Sequence, residues 1–522
     1  MALYASVLDG TPVNTGGPPP PPPPGGGGDP TGPPGGSDPN PIPTPTQIRY
    51  ASPTGSGAGT STALPMSLAA GVAWINDTAP AGGTLQLLPG TYTRTTTLVL
   101  DNPRVLGTNT AYRVIRSHDL ASPAIIETPV ANLQAAIDIH GGANRICFYG
   151  IEGDGKCKLT GIPADADGTQ YMFRISEGGS SAAGKTAHHI WIKQCVMRNY
   201  YSGGIGTLGY NGGIKANASE LFLVEDCTVY ETAHGAPWGG SGCAINHCQQ
   251  GVADGSVDTM FKPTIEGVQV TCGFIFRRNI GYRNYQAREN STGHVYTDGN
   301  FVTTDFWNYE DWGGGPAGTS DYNRGALIEN NIGFGNGRFY AATCTYPSAG
   351  VYVRFNTSVY DGVTYRHGEF GVSDEAVHFG GWGGWNDVFR IHANLLVFDP
   401  AMSHPNGTGA HAMSRDLSSD GPAPRPLSSD WNLVKTNASA SLGPAFSTAT
   451  NTVTSDPGLG TPPAYLTHTG KIAMTTIKAW ATPSSSSQAK QAAQPYRPSD
   501  GVDCFWRART TGSIGACLPG GT

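Results

Sequence analysis

Six short segments in the middle of the chain can be laid over one another. They read His189-Ile-Trp-Ile-Lys-Gln-Cys195, Leu221-Phe-Leu-Val-Glu-Asp-Cys227, Gly273-Phe-Ile-Phe-Arg-Arg-Asn279, Gly325-Ala-Leu-Ile-Glu-Asn-Asn331, Gly350-Val-Tyr-Val-Arg-Phe-Asn356 and Val388-Phe-Arg-Ile-His-Ala-Asn394. Each ends in Asn or Cys. Three residues earlier stands an apolar side chain: Ile192, Val224, Phe276, Ile328, Val353 or Ile391. Five residues earlier stands another: Ile190, Phe222, Phe274, Ala326, Val351 or Phe389. Alternation at period two marks a strand with one buried face. Recurrence at intervals of 25 to 52 residues stacks those strands as rungs of a solenoid.

The position two before the Asn or Cys faces the other way. It reads Lys193, Glu225, Arg277, Glu329, Arg354 and His392, with signs alternating as far as Arg354. In-register rungs lie about 4.8 Å apart, so such a column attracts along its length. Asn tolerates left-handed backbone and bonds local main-chain groups, so the Asn column suits one sharp bend repeated in successive coils. The fold expected is all-β, a right-handed parallel β-helix.

Composition agrees. Seventy-three Gly and forty Pro with only 14% charged residues suit a turn-rich all-β chain and argue against a helical bundle. The net charge of −7 has no basic block, which argues against nucleic acid as a partner. No run is apolar enough to be read as a membrane span. The first residues lack a basic region and a sustained apolar run, so no Sec signal is expected and the setting is read as a virion or extracellular. Cys147, Cys195, Cys227 and Cys272 fall in strand-like runs and read as small buried residues. Cys504 and Cys517 flank a short loop and are either bridged or two thiols. Cys243, His247 and Cys248 lack the second ligand pair of a zinc site, so no metal residue is assigned.

Four regions follow. Residues 1–15 form a short attachment segment. Residues 16–47 form a linker, in which Pro18 to Pro24 is a stiff polyproline II spacer and Gly25 to Gly28 a swivel. Residues 48–398 hold the β-helix, opened by a helix near Pro65 to Asn76 that covers the first coil. Residues 399–522, rich in Ser, Thr and Pro, are read as a C-terminal cap and tail.

The segments Tyr50-Ala-Ser-Pro-Thr-Gly-Ser-Gly57, Leu88-Pro-Gly-Thr-Tyr92, Tyr296-Thr-Asp-Gly-Asn300 and Ser513-Ile-Gly-Ala516 resemble bacterial right-handed β-helix proteins related to polysaccharide lyases. So does Gly325 to Gly337. The scaffold is shared with hydrolases, isomerases and phage tailspikes. The resemblance implies a polysaccharide partner, and the tailspike resemblance implies a homotrimer attached to a particle through residues 1–15.

Rung spacing suggests where chemistry sits. One coil takes 25 residues from Asn331 to Asn356, whereas Cys227 to Asn279 and Asn279 to Asn331 each take 52, leaving room for insertions or extra coils. The first gap holds Trp238. The second holds Arg288, His294, Tyr296, Asp298, Asn300, Asp305, Trp307, Trp312, Tyr322 and Arg324. Aromatic rings beside carboxylates and guanidinium groups suit sugar stacking and hydroxyl recognition. Asp298 and Asp305 are the candidate acid–base pair, with His294 and Arg324 as further catalytic candidates. Glu310 with Asp311 fits hydrolysis equally well. Trp238, Tyr296, Asn300, Trp307, Trp312, Tyr322 and Arg288 are the candidate substrate contacts. Elimination from a uronate needs a base and a cation beside the carboxylate, supplied in the related lyases by Lys or Arg and often calcium. Lys215, Lys262, Arg288 and Arg324 are available. No dense Asp cluster marks a calcium site, so calcium is an expectation without assigned ligands.

Overall fold

The computed structural model describes residues 37–103, 111–130, 133–156, 169–175, 187–200, 203–207, 220–232, 241–246, 254–284, 299–305, 324–343, 349–366, 369–372, 375–379, 389–398, 411–415, 427–435, 451–463, 470–490, 495–509 and 512–519. The attachment segment and most of the linker lie outside them.

Three long sheets of eleven, ten and nine strands run the length of the stack, and every pairing within them is parallel. Successive strands visit the first, second and third sheet in turn, then return to the first one rung higher. Gly83–Leu87, Gly90–Thr93 and Leu98–Leu100 make one such circuit. The chain is a right-handed parallel β-helix.

The aligned segments pair as expected. Phe222 lies between Ile190 and Phe274, and Val224 between Ile192 and Phe276. Ile328 continues that column to Val353 and Ile391. All these side chains are buried in one continuous core. Each 52-residue interval is therefore one coil with insertions rather than two coils. The first coil is covered by the helix Leu68–Asp77, capped by Ser67 Oγ accepting from the Ala70 amide, with Leu68, Val72 and Ile75 turned onto the stack.

The bend is built differently from expectation. The left-handed residue is the one before each Asn or Cys: Gln194, Asp226, Arg278, Asn330, Phe355, Ala393 and Trp431 all have φ between 50° and 58°. The Asn itself is free to bond along the stack. Asn279 Oδ1 accepts from the Cys227 amide at 2.9 Å, Asn331 Oδ1 from Asn279 at 2.8 Å and Asn356 Oδ1 from Asn331 at 3.0 Å. Asn394 and Asn432 extend the file. Each Nδ2 donates to a carbonyl of that same neighbouring coil, such as Asn331 to Phe276 O at 2.9 Å. A non-glycine residue costs roughly 1–2 kcal/mol in this conformation, and the ladder of buried amide bonds offsets it. Asn284, Asn336 and Asp361 repeat the device at the next corner.

The stack continues past Phe398, where the sequence suggested that the cap begins. His411–Arg415, Leu427–Asp430 and Leu433–Lys435 add a strand to the third, first and second sheets. Their pattern is polar, as in Leu-Ser-Ser-Asp, which is why they escaped the alignment. Val453 bridges Leu433 on the last coil, and the segment 495–509 runs back along the flank of the helix.

Candidate functional site

Among the described residues, other segments of the chain pack on the outside of the first and second sheets. Over the first sheet lies the insertion 254–271, whose Phe261, Ile265 and Val270 pack on Trp191, Leu223 and Ile275. Tyr112 Oη donates to Asp258 at 3.1 Å and Arg145 pairs with the same carboxylate at 3.3 Å, pinning the insertion down.

Beside it stands the charged column, and here expectation needs correcting. Lys193, Glu225, Arg277, Glu329, Arg354 and His392 do face outward, but all are buried. A strap from the C-terminal region crosses them one rung at a time. Tyr496 stacks on His392, Arg497 O accepts from Arg354, Ser499 bonds Glu329, and Asp500 pairs with Arg277 and Arg278. Trp506 Nε1 donates to Asp226 at 2.8 Å. At the far end the linker arrives: Lys193 Nζ donates to Asp38 Oδ1 and to Asn40 O, both at 2.8 Å, while Asn40 Nδ2 donates to Glu225. Burial would raise the Glu225 carboxyl, yet Lys193, Arg277 and Arg278 hold it well below the usual range. Burial would likewise lower Lys193, and the carboxylates of Glu225, Asp226 and Asp38 hold it above its ordinary value. These carboxylates are saturated by cations, so they do not fit calcium. Among the described residues no three His, Cys, Asp or Glu side chains come together as a metal set.

The second sheet is covered by Ile472, the helix Met474–Ala481 and the segment around Phe505, Ile514 and Ala516, packed on Tyr282, Ile332, Phe334 and Leu395. Tyr282 Oη accepts from the Ile472 amide at 2.9 Å, and Lys471 pairs with Glu152 at 2.6 Å.

The third sheet is different. Its inward positions include Leu98, Ile137, Phe173, Cys243, Val302 and Tyr340. The outward position between them holds Val99, Asp138, Arg174, Gly206, Ala244, Thr303 and Ala341 in successive rungs. Between the Asp138–Arg174 ion pair and His378, the rungs from Gly206 to Ala341 carry small residues. At its entry, Asn300 Nδ2 donates to Thr303 Oγ1 at 2.9 Å, and Thr303 and Ser241 hydroxyls bond at 2.8 Å. Each of the insertions 208–219, 233–240, 247–253, 285–298, 306–323 and 344–348 adjoins a strand of this sheet at one end and leads to or from the first or second sheet at the other.

The candidates can now be placed. Asp305 ends the strand Asn300–Asp305, two positions beyond Thr303, with its backbone registered between Asn246 and Thr343. Val302 and Thr304 face inward as the alternation required, Thr304 Oγ1 bonding Tyr340 Oη at 2.6 Å. Asn300 is at the site but buried, holding Thr303 in place instead of facing a ligand. Arg324 is elsewhere. It is 1% exposed, and its Nε lies 2.5 Å from Glu220 Oε2 on the first sheet, so it cannot share a site with Asp305. Trp238, Arg288, His294, Tyr296, Asp298, Trp307, Trp312 and Tyr322 lie outside the described residues. Sequence reasoning passed over Ser241, registered with Asn300, and Thr303, three residues beyond Asn300 on the same strand; both are buried like Asn300.

No family model matches the chain, and no curated protein does. Solved structures do. The pectate lyase Pel9A is 15% identical, with 91% of this chain covering 97% of that one at a TM-score of 0.46. A rhamnogalacturonan lyase is 12% identical over 72% of this chain and 87% of that one, TM-score 0.39. An alginate lyase from Paenibacillus sp. str. FPU-7 is 12% identical over 78% and 98%, TM-score 0.31. The likeness is one of fold, and the fold itself rests on the strand pairing described above.

Proposed function

We propose that the protein is a particle-borne, tailspike-like β-helix that binds a cell-surface or extracellular polysaccharide along the outer face of its third sheet and cleaves it. The observation that carries this reading is the division among the faces. Described chain fills the outside of the first and second sheets, whereas the third sheet has a small-residued floor and bears the insertions where Trp, Tyr, Asp and Arg concentrate. Asp298 and Asp305 are the proposed acid–base pair, with His294 as a further catalytic candidate and aromatic residues from Trp238 to Tyr322 as stacking candidates. The sequence resemblance to β-helix proteins related to polysaccharide lyases supports the substrate class.

The setting is supported by the linker. Asp38 and Asn40 fasten its end to the first sheet, a face other than the proposed sugar trough. The trimer follows from the tailspike reading.

Incubation with bacterial capsule, lipopolysaccharide and uronate polymers tests this. A rise in absorbance near 235 nm reports elimination, and new reducing ends without that rise report hydrolysis. Binding without either product makes the protein an adhesin, and absence of binding across the panel removes the proposal. Deleting residues 1–36 is expected to abolish particle incorporation and preserve glycan binding.

A further inference from the structure

Cys504 and Cys517 sit in the segment that covers the second sheet, and their Sγ atoms are 3.0 Å apart. Both are buried among Phe505, Ile514 and Ala516. The backbone between them is already closed. The Cys504 amide donates to Ala516 O at 3.0 Å, and Asp503 accepts from the amides of Phe505, Arg507 and Leu518. Cys195 and Cys227 also lie in thiol contact, but on adjacent rungs of the core, where each thiol also donates to a main-chain carbonyl of a neighbouring coil.

We propose that Cys504 and Cys517 are the site of an oxidative crosslink that locks the C-terminal strap onto the flank of the helix. The loop they close carries Trp506, which bonds Asp226 and lies against Lys193 at one end of the charged column. Trp506 is held at φ 61°, a conformation that a non-glycine residue keeps only under restraint. A bridge at the base of the loop supplies that restraint.

The chemistry balances with a small disulfide such as oxidised glutathione as the oxidant. One cysteine, as thiolate, attacks a sulfur of the oxidant and expels a glutathione thiolate. The second then attacks the mixed disulfide and expels the other half. Two protein thiols lose two protons and two electrons, and the oxidant becomes two thiols. A disulfide bond is about 2.04 Å, so the sulfurs close by about 1 Å, within reach of small side-chain rotations. Burial pushes the Cys504 thiol well above its ordinary value, so exchange proceeds when the loop opens.

The test uses the full chain. After incubation with oxidised glutathione, the protein is unfolded in N-ethylmaleimide without reductant, digested and mapped by mass. The expected result is a linked Cys504–Cys517 peptide, about 2 Da lighter than its two parts, with the eight other cysteines of the ten alkylated. Alkylation of both Cys504 and Cys517 overturns the crosslink. The lock is read by trypsin cleavage after Arg507 and Arg509. Dithiothreitol is expected to speed it about tenfold in the oxidised wild type and to leave Cys517→Ser unchanged. An oxidised wild type indifferent to reductant would overturn the lock even if the bridge forms.

Discussion

Lys193 and Glu225 face each other across adjacent rungs, Nζ to Oε1 at 3.1 Å, and neither is exposed to solvent. The same pair receives the linker through Asp38 and Asn40 and the C-terminal strap through Trp506. Both ends of the described chain are thus fastened near the middle of the stack.

Removing one member of this pair leaves the other charge buried. Lys193→Met is expected to cost about 3–5 kcal/mol and to release the strap, whereas Lys193→Met with Glu225→Leu is expected to cost less than the two single changes added. Urea unfolding, with proteolysis near Arg497 as a local probe, measures both. Additive losses would show that the pair does not act as a unit.

The column also sets an acid limit. Glu225 is depressed in the folded chain, so its contribution is full above its unfolded value near pH 4.3 and declines as pH falls toward the lower folded value. Lys193 is raised, so its contribution is full below about pH 10.4 and is lost only at higher pH. Melting temperature against pH is expected to fall below about pH 4.3, and Glu225→Gln should flatten that fall.

Asp361 carries the opposite sign. It ends the second amide ladder, accepting from the Asn336 amide at 2.8 Å and from Asn336 Nδ2 at 2.9 Å, and burial pushes its carboxyl up to about 7. A raised acid costs stability as pH climbs from the unfolded value to the folded one. Asp361→Asn keeps the Oδ1 bonds without the charge. The variant is expected to gain nothing near pH 4, to gain about 2–4 kcal/mol by pH 8 and to level off above. A gain independent of pH would contradict the assignment.

Asn331→Ala removes the acceptor for the Asn279 amide and the donor to Phe276 O. Two buried main-chain groups lose partners at once, so a loss of about 2–4 kcal/mol is expected. Urea denaturation measures it, and a loss below 1 kcal/mol would mean that the left-handed corners hold without the ladder.

The repeated segments carried the fold because period-two alternation and equal register are properties of local sequence. The strands at Leu98, Gly203 and Leu427 were not legible, because Leu-Val-Leu, Gly-Gly-Ile-Gly-Thr and Leu-Ser-Ser-Asp show too little alternation. Charge alternation from Lys193 to Arg354 was visible, but its burial was not, since that depends on a strap about 150 residues and more distant in the chain. For the candidate site, the strand bearing Asp305 was placed by pattern. Arg324 failed because its partner Glu220 lies two rungs below, 104 residues earlier.

The most direct measurement is the depolymerisation rate of a responsive polysaccharide by wild type, Asp298→Asn, Asp305→Asn and a control, Val268→Trp, altered at an exposed position of the hairpin outside the first sheet. Both Asn variants are expected to lose at least about 100-fold in turnover with unchanged melting, and the control to retain full activity. Full turnover in both Asn variants, or its loss in Val268→Trp, would contradict a catalytic trough on the third sheet.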